Sequence, residues 1–168
     1  MQAGQTGHYV LSTIHTIDSI EVITRLKKMG VSNYDISSTL ATSVSQRLVR
    51  KVCPNCSVER DFNEKEIEII RKIGNKYGIE FDLNGKKTYT TKGCKECNNT
   101  GYYGRIGIFE ILMVTDEIKE LIAKDASSLE IKAAALKQTY RPLIIDGIEK
   151  VLKGITTIDE LDRKLAIF

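Results

Sequence analysis

Four cysteines set in two C-x-x-C hooks constrain this chain more than any other feature. The first hook is Cys53-Pro54-Asn55-Cys56, the second is Cys94-Lys95-Glu96-Cys97, and no other cysteine occurs. Two intervening residues let a tight turn aim both sulfurs of a hook at one ion about 2.3 Å away, and a second hook completes a tetrahedron. Hooks separated by several tens of residues therefore predict a tetracysteine metal site. Zn2+ suits it best, and iron is the alternative ion for a thiolate cage. Two disulfides would require an oxidising compartment, and the first residues carry neither the basic nor the apolar region of a secretory signal. A closed four-thiolate shell leaves no open position for water or substrate. The expected ion is structural and contributes folding free energy rather than catalysis.

With 168 residues the chain can form one ordinary domain, or one domain and a small appendage. A hydrophobic content of 42% supports a real core, and no low-complexity tract points to disorder. The longest apolar runs fall far short of the ~20 residues of a membrane span, so a soluble chain is expected. The net charge of +3 is mild, and its densest basic cluster is Arg47, Arg50 and Lys51. Such a cluster is more often a solvated surface than a nucleic-acid footprint.

In chain order, residues 9–14 form a short β-rich apolar run of the kind buried in a parallel sheet. No earlier strand precedes it, so either the sheet is built from later elements or the chain begins in the middle of a domain, and the second is the favoured expectation. Asp18-Ser19-Ile20-Glu21 reads as a capping box opening a helix that runs to Met29 and stops at Gly30, with Ile20, Ile23, Leu26 and Met29 on one side. A second helix is expected over 33–43, then a strand over 44–52 that delivers the chain to the first hook. Strand, helix, helix and strand make an α/β grammar. Between the hooks, Asn63 caps a helix carrying Ile67, Ile70 and Ile73, and 88–91 reads as a short strand entering the second hook. A glycine-rich turn and strand follow over 101–110. Helices are then expected over 115–124, from the Ser127 cap to about Lys137, from Pro142 to before Gly154, and from the Thr157 cap onward, as a separate helical subdomain after about residue 111.

The two histidines, His8 and His15, flank the strand expected over 9–14, with Ser12, Thr13, Thr16 and Asp18 close in sequence. Polar groups at a strand's C-terminal end, running into a helix, sit where α/β folds bind ligands. The alternative is two incidental polar residues at strand ends, since neither histidine has a nucleophile or second base at diagnostic spacing. No phosphate loop of the form G-x-x-x-x-G-K-[ST] occurs in the chain.

The run Thr6-Gly7-His8-Tyr9-Val10-Leu11-Ser12-Thr13-Ile14-His15-Thr16 closely resembles the histidine box of the secretion ATPases, the hexameric motors of bacterial type II secretion and type IV pilus assembly. Gln46-Arg47-Leu48-Val49-Arg50, the two cysteine hooks, and Thr100-Gly101-Tyr102-Tyr103-Gly104-Arg105 with Glu110 continue the resemblance in order. Asp146-Gly147, Lys150 and Gly154-Ile155-Thr156-Thr157 are similar to the family's C-terminal signature. Two departures stand out: Ile17 where the family usually has asparagine, and Thr139-Tyr140-Arg141-Pro142 where it usually has Gly-Met.

The resemblance implies an α/β fold: part of a RecA-like phosphate-loop NTPase domain with a tetracysteine zinc-binding insertion and a C-terminal helical subdomain. The expected organisation is RecA-like core over 1–52, zinc-binding subdomain over 53–97, return strand over 98–111 and helical subdomain over 112–168. It further implies that His8 and His15 lie near the nucleotide phosphates or couple subunits, that Gln46 and Arg47 lie on the nucleotide's side, and that Cys53, Cys56, Cys94 and Cys97 hold structural Zn2+. The phosphate loop and the Mg2+-holding acidic segments lie upstream in that family, so the chain resembles the C-terminal portion of such an ATPase, inactive alone. ATP and Mg2+ would be cofactors of the whole protein. The implied partners are five further copies in a homo-hexamer, an inner-membrane platform protein and other pilus or secretion components, without nucleic acid, in the cytoplasm at the inner face of the cytoplasmic membrane. Two rival readings are a zinc ribbon binding nucleic acid through Arg47, Arg50, Lys51 and Arg105, and a hydrolase holding a second metal at His8 and His15.

Overall fold

The computed structural model describes residues 2–167. Its elements are helices α1 (Gln2–Gln5), α2 (Glu21–Lys28) and α3 (Asn33–Thr39), strands β1 (Thr42–Val52) and β2 (Ser57–Arg60), helix α4 (Glu64–Tyr77), strands β3 (Thr88–Thr91) and β4 (Tyr102–Met113), and helices α5 (Asp116–Ala123), α6 (Ser128–Leu136), α7 (Leu143–Leu152) and α8 (Ile158–Leu165). A single 3-10 turn, Lys95–Cys97, precedes β4. β1 pairs with β4, and β2 pairs antiparallel with β3. The α/β class is as expected. Among the described residues no helix is long and apolar enough to cross a membrane.

The chain divides into two compact units. One joins the residues up to Ser45 with Glu110–Pro142, and the other joins Gln46–Phe109 with the residues from Leu143 onward. The first unit is cored by Ile20, Ile23, Ile36, Leu112, Ile118 and Ile131, from α2, α3, β4, α5 and α6 and their edges. Local chemistry sets its helix starts. Ser32 accepts the Asp35 N–H at the head of α3, and Ser127 and Glu130 form a reciprocal capping box on α6. At α2 the Asp18 carboxylate accepts from the N–H groups of both Ile20 and Glu21, and no box closes.

Three expectations fail in this unit. Residues 9–14 are not a strand, and Tyr9 and Leu11 are 106% and 100% exposed. β-rich composition gives the propensity, but a strand exists only when a neighbour takes up its backbone groups. Met29 is exposed beyond the end of α2, because the helix stops at Lys28 and Gly30 turns the chain at a φ of +85°. α3 ends at Thr39, so 40–43 leave the helix and lead into β1.

The second unit is cored by Ile70 and Ile73 of α4, Val49 of β1, Ile108 of β4, and Ile148 and Leu161 of α7 and α8. α4 opens on a complete Asn63–Glu66 capping box and closes on Gly78 in the left-handed region, φ +66°. Of residues 112–168, expected as one helical subdomain, α5 and α6 fall in the first unit and α7 and α8 in the second. Residues 53–97, expected as a zinc-binding subdomain, lie within the second unit. The apolar stripe of α4 is buried in the same cluster as α7 and α8, since a lone amphipathic helix has nowhere else to hide it.

Glu160 is the polar anchor of this unit. It is 1% exposed, and its carboxylate accepts from the Arg50 backbone N–H (2.9 Å), Arg50 Nε (2.8 Å), and Arg163 Nε and Nη2 (both 2.7 Å). Arg50 also lies 4.1 Å from the centre of the Tyr102 ring, and the Tyr102 hydroxyl meets Thr157 Oγ1 at 2.8 Å. Burial works to raise the Glu160 carboxyl, but the bonds from Arg163 and Arg50 outweigh it and hold it at about 2 instead of 4.5. A depressed folded-state value adds stability above about pH 4.5 that is lost as pH falls towards 2. In urea titrations at neutral pH, Glu160→Ala is expected to cost about 1–3 kcal/mol, since it removes the acceptor of the Arg50 backbone N–H and of two part-exposed guanidinium groups. Glu160→Gln should flatten the wild-type loss of stability between pH 4.5 and 2; an unchanged slope would contradict this role.

Candidate metal centre

The β2–β3 ladder brings the two hooks together. Its register sets Ser57 opposite Thr91 and Arg60 opposite Thr88, so the residue after Cys56 lies across from the strand end that leads to Cys94. A backbone bond from Cys53 N–H to the Gly101 carbonyl (2.9 Å) ties the first hook to the segment leaving the second. Two glycines permit this closeness. Gly93 has φ +90°, and a Cβ there would come within 2.7 Å of the Asn99 carbonyl oxygen. Gly101 has φ +75°, and a Cβ there would come within 2.4 Å of the Thr91 Cβ.

All four sulfurs lie within 4.8 Å of one another. Cys53 to Cys94 is 3.9 Å, Cys56 to Cys97 is 3.8 Å and Cys94 to Cys97 is 3.7 Å. A regular tetrahedron with bonds of about 2.3 Å from ion to sulfur has edges of about 3.8 Å, and a disulfide is about 2.05 Å. The cysteines are free thiols spaced as ligands of one shared ion. Cys53 and Cys97 are buried, and Cys56 and Cys94 partly so.

The backbone prepares the site for negative charge. Cys97 Sγ accepts from the N–H groups of Cys94 and Gly101, both at 3.2 Å. Burial works to raise the Cys97 thiol, but those N–H donors and the adjoining sulfurs outweigh it and bring it to about 6. Burial, then the sulfurs of Cys97 and Cys53, push Cys56 up to about 12. Loading with a cation therefore expels protons, as thiolate ligation requires.

The remaining sequence-predicted residues do not assemble into a comparable site. His8 is exposed, with Nδ1 3.1 Å from Thr6 Oγ1, and His15 is exposed on the coil before α2. Among the described residues neither belongs to a group of three or more metal-ligand side chains. Gln46 and Arg47 are exposed on β1, where Arg47 Nη1 donates to the Gln46 carbonyl at 3.0 Å. The Gln46 amide covers Gly107, where a Cβ would come within 2.8 Å of its Nε2. The histidines fall in the first unit, and Gln46, Arg47 and the cysteines in the second. Sequence reasoning named Ser19, Glu110 and Tyr140 separately and did not foresee that they are buried together. The available signal was an acidic residue at an inward position of an alternating strand, between Ile108 and Leu112.

The family model described as "Type II/IV secretion system protein" matches residues 1–163. Among curated proteins, the chain is similar to a type IV pilus assembly ATPase PilB of Thermus thermophilus, 42% identical over 160 residues, which is 95% of this chain and 17% of that protein. It is also similar to a type II secretion system protein E of Aeromonas hydrophila, 38% identical over 97% of this chain and 31% of that protein. A third relative is a type IV pilus assembly ATPase PilB of Pseudomonas aeruginosa, 36% identical over 97% of this chain and 28% of that protein. The chain thus spans less than a third of the length of these relatives. With the ordered motifs from the histidine segment to the last helix all inside the match, the chain belongs to the type II/IV secretion system protein family.

Proposed function

We propose that this chain supplies the zinc-bearing and histidine-bearing part of an ATP-driven motor of type IV pilus assembly or type II secretion. The observation that carries the reading is the tetrahedral spacing of four thiols inside a chain of this family. Relatives with both kinds of printed name match along nearly the whole chain, which supports a motor core common to the two processes. In this reading the first unit and the β1–β4 ribbon belong to a RecA-like ATPase domain. Cys53, Cys56, Cys94 and Cys97 hold one structural Zn2+. The ion supplies folding free energy, and the closed shell gives it no part in the reaction.

His8 and His15 face the nucleotide phosphates or a neighbouring subunit, and Gln46 and Arg47 lie on the nucleotide's side. Phosphoryl transfer needs a phosphate cradle and Mg2+ together, and these 168 residues hold no phosphate loop. The chain therefore acts within a hexamer whose phosphate loops come from outside it. The assembly works on an inner-membrane platform protein from the cytoplasmic side and binds no nucleic acid.

The isolated chain should turn over ATP at background rate in a phosphate-release assay, unchanged by His15→Ala. A robust rate abolished by that substitution would refute the reading. Metal analysis should find one zinc per chain, and one equivalent of Co2+ should give the absorption of a tetrahedral tetrathiolate, lost in Cys97→Ser. A second equivalent bound through His8 and His15 would instead favour a metal-dependent hydrolase.

A further inference from the structure

Burial in β4 alternates through Ile108, Glu110 and Leu112, so Glu110 occupies a place that an aliphatic residue would fill without desolvating a carboxylate. Glu110 is 4% exposed, and what it holds is specific. Its Oε1 accepts the Ser19 backbone N–H at 2.8 Å and the Ser19 hydroxyl at 2.7 Å, across 91 positions of sequence. Ser19 is fully buried, so its hydroxyl serves as a donor and not as an exposed nucleophile. Tyr140 closes the same pocket of the first unit. Burial, followed by the negative charge of Glu110, raises its phenol and keeps it protonated.

Ser19 lies four positions after His15, and the intervening turn is held bond by bond. Thr16 Oγ1 donates to the Asp18 carbonyl at 3.0 Å, and Asp18 Oδ1 accepts from Ile20 N–H at 3.0 Å and Glu21 N–H at 2.8 Å. Hydrogen bonds to an ionised acceptor are roughly twice as strong as neutral ones. The fixed point of this turn is therefore the buried carboxylate on β4, and His15 is the first residue outside it. We propose that Glu110 is a positioning residue: through Ser19 it fixes the backbone from which His15 projects. Any consequence for turnover rests on the role proposed above for His15, whereas the positioning itself does not.

The test uses amide hydrogen exchange and 15N relaxation on the whole 168-residue chain. Glu110→Ala should speed exchange of the Ser19 amide roughly tenfold or more and lower the order of residues 15–18. The core methyls of Ile36, Ile118 and Ile131 should keep their positions. Glu110→Gln retains a carbonyl acceptor and should restore most of the Ser19 protection, a rescue that loss of packing alone would not show. Unchanged Ser19 exchange and order in a folded Glu110→Ala chain would overturn the proposal. Should that variant not fold, Ser19→Ala decides: lower order at 15–18 with unmoved core methyls upholds it, and unchanged order overturns it. A His15→Ala substitution without effect on an assembled motor would remove the role given to His15 and leave the positioning result standing.

Discussion

The meeting of four sulfurs is the constraint on which the second unit depends. Cys56 and Cys97 are 41 positions apart, and closing a loop of that length costs on the order of 3 kcal/mol in chain entropy, beyond a constant for bringing the ends together. The β2–β3 ladder has four residues a side, and a two-stranded pair of that size is marginal in water. Thiolates also repel one another at separations of 3.7–3.9 Å. A divalent ion reverses the sign of that last term and closes the loop at once, which makes it the natural centre of the region. From it, Cys53 bonds to Gly101, Tyr102 reaches Thr157, and Arg50 reaches Glu160.

Glu160 in the second unit and Glu110 in the first are both sealed acidic groups, and the two are handled differently. Glu160 is neutralised by the guanidinium groups of Arg50 and Arg163 and by a backbone N–H. Its full set of donors explains why so buried a carboxylate is tolerated. Glu110 Oε1 accepts from both the amide and the hydroxyl of Ser19, which makes it a directional tie. Both connect segments far apart in sequence, 110 and 91 positions respectively, so both help define the fold as well as stabilise it.

Much of this was legible in the sequence because the chemistry was local. The hooks required only their spacing. The Asn63 and Ser127 boxes needed residues three apart, and both are formed. What was illegible depended on distant partners. Residues 9–14 have strand composition, yet composition does not supply a neighbour, and the segment is exposed. Helical periodicity showed that α5 to α8 each have an apolar side but not which core receives it, and they divide between two. At α8 the Thr157 cap forms, but Glu160, three residues on, is drawn to Arg50 and Arg163 rather than closing a capping box. The histidines drew attention by type and Glu110 as a motif residue, whereas the bond between Glu110 and Ser19 was hinted at only by a lapse in the alternation of β4.

The sequence distance between the hooks also has a consequence in time. Chains are synthesised at roughly 5–20 residues per second, so Cys53 and Cys56 leave the ribosome about 2–8 s before Cys94 and Cys97. For that interval the nascent protein carries a two-thiol half-site, able to hold a metal weakly or to oxidise, but not to lock. The wait falls while α4 is being made, and the capping box at Asn63 gives that helix a start of its own before the ladder exists. The turn Lys95–Cys97 is therefore the last part of the four-sulfur cluster to be made, and the cluster cannot close before it emerges.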